Sequence, residues 1–149
     1  MKPEVTTVMH GYVGTLFGSI LPNLNSEYSM GDTGLMAMSF MMMAQEFDRA
    51  AEIRLQENED MRALFAHAAE EIDNEPLAKR LREAASGADA SLRVSALTKA
   101  NDELKALLIE LHEYVEASSA KWAPELEMRI WSVLCAGVER RKLDFPKLF

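Results

Sequence analysis

The chain contains a single cysteine, Cys135, among its 149 residues. One cysteine cannot form a disulfide within the chain, which excludes a disulfide-stapled secreted fold and favours a reducing compartment. The N-terminal residues also lack the basic-then-apolar pattern of a signal peptide. We therefore expect a cytoplasmic protein.

Basic residues and long apolar runs are scarce as well. The chain has 16 Lys and Arg residues and 24 Asp and Glu residues, so its net charge is −8. No basic stripe of the kind that binds nucleic acid is visible. The longest apolar-rich run, Gly34–Ala44, is far shorter than the roughly 18 residues of a transmembrane helix. The sequence thus predicts no nucleic-acid partner and no membrane span.

Nearly every periodic segment repeats with the helical period, and no convincing strand pair appears. The pattern predicts a single all-α domain over residues 1–149, arranged as a helical bundle. Four long helices are expected at about 3–21, 32–57, 89–117 and 124–141, and a short helical hairpin at 59–73 and 75–86. The apolar tail, residues 142–149, is expected to dock on its own bundle or on that of a partner.

These boundaries depend on residues that cap or start helices. Asp32 or Thr33 can cap the second helix, and Asn58 resembles a fresh N-cap that would end it and begin the next. Asn74 followed by Pro76 is another start signal, because proline is tolerated in the first helical turn.

Methionine is concentrated in one place, since six of the ten methionines lie between Met30 and Met43. Its flexible thioether chain suits irregular cores and adaptable contact surfaces. On a helix, this segment is apolar nearly all round, which is typical of a core helix, an interface helix or a pocket wall. Thioether binding of Cu(I) is disfavoured because no Cys or His lies in the run. The residues of this candidate surface are Met36, Met38, Phe40, Met41, Met42 and Met43.

A second apolar feature is a seam of alternating three- and four-residue steps on helix 89–117. This heptad spacing serves either packing inside the bundle or a seam shared with a second chain. Asn101 lies on the seam, where it could set the register or cap a helix that restarts at Asp102. The seam positions are Val94, Leu97, Asn101, Leu104, Leu108, Leu111 and Val115, and the five from Leu97 to Leu111 are the candidate interface residues.

Glycines form a third pattern, because Gly11, Gly14 and Gly18 lie on one face of the first helix. Glycine costs about 0.5–1 kcal/mol relative to alanine inside a helix. Either this helix is interrupted, or a crossing helix or a ligand approaches its backbone closely.

Catalytic and metal-binding signatures are absent. No glutamate precedes any histidine by three residues, so the di-iron bundle motif is missing. His67–Glu71 and His112–Glu116 are pairs four residues apart, which typically form ordinary surface interactions. We therefore expect no catalytic residues, no metal site and no cofactor.

One weak polar constellation remains beside the methionine run. Glu46 and Arg49 follow it on the same helix, and Tyr12 or His10 could face them from the first helix. Carboxylates at the rim of an apolar pocket can act as bases when their pKa is raised. These four residues are the possible polar rim of a binding or active site.

The sequence favours a helical interaction or scaffold protein, expected to be a homodimer, over an enzyme. The first alternative is a binder or enzyme for a small apolar ligand, with a methionine-lined pocket rimmed by Glu46 and Arg49. The second is an adaptor for a hydrophobic helix or peptide, which would need an open groove.

Overall fold

A computed structural model describes residues 2–144, and every regular element in that range is helical. This confirms the prediction of an all-α fold. A π-helical turn (Leu16–Ile20) and a 3-10 turn (Leu21–Asn23) follow the first α-helix. Within the described range, no helix combines the length and apolar character needed to cross a membrane. The α-helices are α1 (Val5–Thr15), α2 (Glu27–Glu71), α3 (Glu75–Ala85), α4 (Val94–Glu116) and α5 (Ala123–Arg141).

The chain divides into two compact units. The described part of the first, here the N-terminal unit, comprises residues 2–50 with 143 and 144. The second, here the bundle unit, comprises Ala51–Lys142. Helix α2 contributes residues to both units, and the prediction of one domain over residues 1–149 stays a prediction.

Helix α2 corrects two predicted boundaries. It begins at Glu27 rather than at residue 32, because the Ser26 hydroxyl accepts a hydrogen bond from the Ser29 backbone N–H (3.4 Å) and so caps the first turn. It also runs through Asn58 without a break, so the predicted helices 32–57 and 59–73 are one helix. The Asn58 side chain is fully buried, where its hydrogen bonds go to other elements instead of to its own backbone.

Two other helices differ from prediction at their ends. Helix α4 begins at Val94 rather than at residue 89, because the Asp89 carboxylate binds Arg62 and Asn58 and caps no helix. The first helix keeps α-helical geometry only to Thr15, which agrees with an interruption within the glycine-bearing segment. The start at Asn74 is as expected, since its side chain accepts from the Leu77 N–H (3.2 Å).

The bundle unit holds a continuous apolar core. Its residues come from the second half of α2 and from α3, α4 and α5, each of which turns one apolar stripe inward. Phe65 of α2 is its largest fully buried side chain, and it packs with the buried Leu81, Leu111, Leu126 and Ile130. This unit therefore has an apolar core of its own. Six of its large apolar side chains nevertheless remain exposed: Leu92, Val94, Ile109, Met128, Trp131 and Val138.

The N-terminal unit is an antiparallel hairpin of α1 and the first half of α2. The rings of Tyr12 and Phe40 lie 5.3 Å apart, and His10 lines a groove with Gln45 and Asp48. The beginning of the tail joins this hairpin, because Gln45 exchanges two 2.8 Å hydrogen bonds with the Asp144 backbone. The predicted docking of the tail concerns mainly residues 145–149, which lie outside the described residues.

Candidate interaction surface

The N-terminal unit buries almost no large side chain. In residues 2–50, the buried side chains are only those of Thr33, Ala37, Ala44 and Ala50. Helix α1 has no buried residue. A hairpin of two helices has a single interface between them. The buried positions in this unit are small side chains of α2, so the larger apolar side chains lie at the surface.

The methionine run is accordingly only partly covered. Met36 and Met43 are 55% and 44% exposed, while Met38, Met41 and Met42 are half-buried. None of the five is a core residue. The structure therefore places the run at the surface of the hairpin.

An apolar face runs along the outer side of α2. An open groove of about 470 Å³ lies in its middle, between Asp32 and Met43, with Leu35 and Met36 in its wall. Ser39 and Asp32 are the polar residues that line it. Five exposed apolar residues of this helix lie within roughly 120° of one another around its axis, and we call them the α2 face: Tyr28, Leu35, Met36, Met43 and Phe47.

The same unit carries very little charge. No Asp, Glu, Lys or Arg occurs between Val5 and Ser26, and none occurs between Thr33 and Gln45. Partner surfaces of like charge repel each other, whereas an uncharged apolar surface can be dehydrated at little electrostatic cost. These two stretches can therefore pack against another apolar surface without burying a charge of their own, and Asp32 is the charged residue that lines the groove.

The glycine face of α1 is also open. Among the described residues, no atom apart from near neighbours lies within 4 Å of a Cβ built at Gly11, Gly14 or Gly18. The predicted close approach of a crossing helix or ligand is thus not made by the described part of this chain.

The possible polar rim is divided between two places. His10 and Arg49 do line one groove of about 340 Å³, together with Asp48 and Gln45. Tyr12 instead packs on Phe40. Arg49 lines this polar groove, and the methionine pocket rimmed by Glu46 and Arg49 stays a prediction.

The seam of α4 lies inside the bundle unit. Six of its seven predicted positions are between 0% and 7% exposed: Leu97, Asn101, Leu104, Leu108, Leu111 and Val115. These six positions therefore pack within the chain, while Val94 at the start of α4 is 41% exposed. Helix α4 is continuous through Asn101, so Asn101 is a buried seam residue and not a cap.

Asn101 belongs to a buried polar network that sequence reasoning missed. Its Nδ2 donates to Glu57 Oε2 (3.1 Å) and to Asn58 Oδ1 (2.9 Å). Asn58 in turn donates to Asp89 Oδ1 (3.0 Å). Arg62 also donates to this carboxylate, from Nη1 to Oδ2 (2.9 Å) and from Nη2 to Oδ1 (3.0 Å). Only the asparagine on an apolar seam hinted at this network.

At the other end of the network, Glu57 is held by two cations. Its side chain is 7% exposed, and Arg141 donates from Nε to Oε1 (2.5 Å) and from Nη2 to Oε2 (2.7 Å). Lys105 Nζ lies 3.5 Å from Oε2. Burial alone would raise the pKa of Glu57, but the hydrogen bond and charge of Arg141 and the charge of Lys105 outweigh it and lower the pKa.

This electrostatic balance makes Glu57 a poor general base. A lowered pKa keeps the carboxylate ionised and weakens its affinity for a proton, the opposite of what base catalysis needs. The cavity beside it, lined by Met61 and Val138 among others, measures about 190 Å³, below the roughly 300 Å³ of ordinary ligand pockets. The network is thus best understood as a device that fixes how α2, α4 and α5 pack.

Comparison with protein-family models, with curated proteins and with solved structures gives no match to this chain.

Proposed function

We propose that the protein is a homodimeric interaction protein and that its N-terminal hairpin is the dimerisation module. The observation that carries this proposal is the absence of any buried side chain larger than threonine in residues 2–50. Two hairpins packed face to face would make a four-helix bundle, in which each apolar face has a partner.

A second copy fits this surface better than an unrelated partner. A symmetric dimer places one patch against the same patch, so any dense charge on it would oppose association. The hairpin has long charge-free stretches on both helices. Flexible methionines adapt to a neighbour of the same composition, since they fill irregular gaps.

The test is the mass in solution of two variants that carry the same type of substitution. In the double variant Met36→Lys and Met43→Lys, two ammonium groups would lie in the proposed interface. Met128→Lys is the control, because Met128 is a 74% exposed methionine on α5. Sedimentation velocity at 1–100 µM measures the mass of each.

We expect the wild-type chain and Met128→Lys to be dimers, with the double variant a monomer of unchanged bundle-unit stability. Two lysines in an apolar interface should weaken association by about 100-fold or more, since each buried unpaired charge costs several kcal/mol. A monomeric wild-type chain at 100 µM would refute the proposal, and so would a double variant that dimerises as well as the control.

A further inference from the structure

The turn between α4 and α5 brings together three potential metal ligands. His112 and Glu116 lie four residues apart on α4, and Glu127 comes from α5. One nitrogen or oxygen atom from each lies within 4.8 Å of the other two. Within residues 2–144, no other group of three or more such ligands is found.

The distances suit a divalent transition metal. His112 Nε2 and Glu116 Oε1 are 3.5 Å apart. Two ligands bound tetrahedrally to Zn²⁺ at about 2.0–2.1 Å are about 3.3 Å apart. The α4 pair is therefore close to binding geometry, and an oxygen of the Glu127 carboxylate lies within 4.8 Å of a ligand atom of each.

Among the described residues, Glu116 and Glu127 have no ion pair with a Lys or Arg, and the charged partner of Glu116 is His112 within the cluster. His112 Nε2 is shielded from solvent and makes no hydrogen bond with the described residues. The carboxylates of Glu116 and Glu127 are close together. Two adjacent carboxylates without a cation repel each other, and a bound M²⁺ would remove that repulsion.

The imidazole is also held in place. The Trp131 ring packs edge-on against the His112 ring, with centroids 5.5 Å apart and planes at 87°. A ligand with restricted ring orientation loses less entropy when it binds a metal. Trp131 in addition places a fluorescent side chain beside the site.

We propose that His112, Glu116 and Glu127 form a binding site for a divalent transition metal of the Zn²⁺ type. One nitrogen and two carboxylate oxygens match the donors that Zn²⁺ accepts, and water fills the fourth position of such a three-ligand site. The metal would join the last turn of α4 to the first half of α5 and hold the two helices together. The site is independent of the proposed dimer surface.

The experiment is titration of the full chain, after chelator treatment, with Zn²⁺ alone. Isothermal calorimetry gives the stoichiometry, and thermal unfolding followed by circular dichroism gives the shift in Tm. The test variants are Glu127→Gln and His112→Gln. The controls are His67→Gln, from a His–Glu pair 3.3 Å apart on α2 that lacks a third ligand, and Glu113→Gln, an exposed glutamate on α4.

We expect one Zn²⁺ per chain for the wild-type protein and both controls, with a higher Tm and a change in tryptophan emission. Either test variant should bind Zn²⁺ at least about 10-fold more weakly and lose the Tm shift. The proposal is overturned if the wild-type chain binds no Zn²⁺, if Glu127→Gln binds as tightly as the wild type, or if His67→Gln removes binding. Glu127→Gln preserves side-chain size, so its folding can be checked before Zn²⁺ is added.

Discussion

Replacing Arg141 by methionine should destabilise the bundle unit more than replacing its partner Glu57 by glutamine. Both changes remove the same ion pair, but they leave different charges behind. Glu57 is 7% exposed, whereas Arg141 and Lys105 are 41% and 44% exposed. Arg141→Met strands a buried carboxylate, while Glu57→Gln leaves two cations that water can still reach.

The structure also sets the expected loss in free energy of unfolding for each variant. Breaking a buried ion pair by removing one partner costs about 3–5 kcal/mol. Lys105 at 3.5 Å and the Asn101 amide still serve Glu57 in Arg141→Met, so we expect a loss of about 2–3 kcal/mol. Glu57→Gln keeps an oxygen for Asn101 and should cost only about 1 kcal/mol.

The pH dependence supplies an independent check. The folded-state pKa of Glu57 is lowered, so its ion pairs stabilise the wild type above the unfolded pKa of about 4.3. That stability is lost as the pH falls through the folded pKa. In Arg141→Met the influence of Arg141 is gone, burial pushes the pKa of Glu57 upward, and protonation then relieves the stranded charge. The difference between Arg141→Met and wild type should therefore narrow as the pH falls from 7 towards 4.

Urea unfolding followed by circular dichroism at pH 7, 5.5 and 4 measures these free energies of unfolding. Measured together with the two single variants, the double variant Glu57→Gln/Arg141→Met gives the coupling energy between Glu57 and Arg141. The contribution of other contacts of Arg141 cancels in this comparison. The reasoning is refuted if Arg141→Met costs no more than Glu57→Gln, or if its cost is the same at all three pH values.

Two further substitutions test the bundle unit. Gly137→Ala should raise the free energy of unfolding by about 0.5–1 kcal/mol, because the new Cβ would lie 3.6 Å from Glu57 Oε1, an ordinary contact; a lower urea midpoint would contradict this. Phe65→Ala should lower it by about 3–5 kcal/mol, because Phe65 is 0% exposed in the core. A loss below about 1 kcal/mol, measured by the same urea unfolding, would mean that Phe65 is not packed as described.

Local sequence signals predicted helical structure better than they predicted where each helix begins and ends. The helical period predicted all-α structure, and Asn74 with Pro76 marked the start of α3 correctly. The boundary predicted at Asn58 was wrong because asparagine can either cap a helix or join a buried hydrogen-bond network. Which of the two it does depends on residues that are distant in the sequence. Asp89 misled for the same reason, since Arg62 binds the carboxylate that could have capped a helix.

The two candidate surfaces, the methionine run and the seam of α4, also differ in how well the sequence predicted them. The methionine run stood out in the sequence because its apolar residues lie on too many sides of one helix, and Met36 and Met43 are exposed. The seam of α4 looked equally suited to a partner, yet Leu111 is completely buried in the bundle unit. A pattern of apolar residues predicts that a surface will be covered, but it does not identify what covers it.

By itself, the sequence determined the helical character of the chain, its acidic balance and its charge-free N-terminal stretches, because these depend on residue type and spacing alone. It also contained the His112–Glu116 pair, since four residues span one helical turn. Only the tertiary structure brought Glu127 beside that pair, enclosed Glu57 between Arg141 and Lys105, and left the N-terminal hairpin without large buried side chains. Each of these depends on contacts between residues that are distant in the sequence and that come together only when separate segments pack. The spacing of residues within one helix does not predict such contacts.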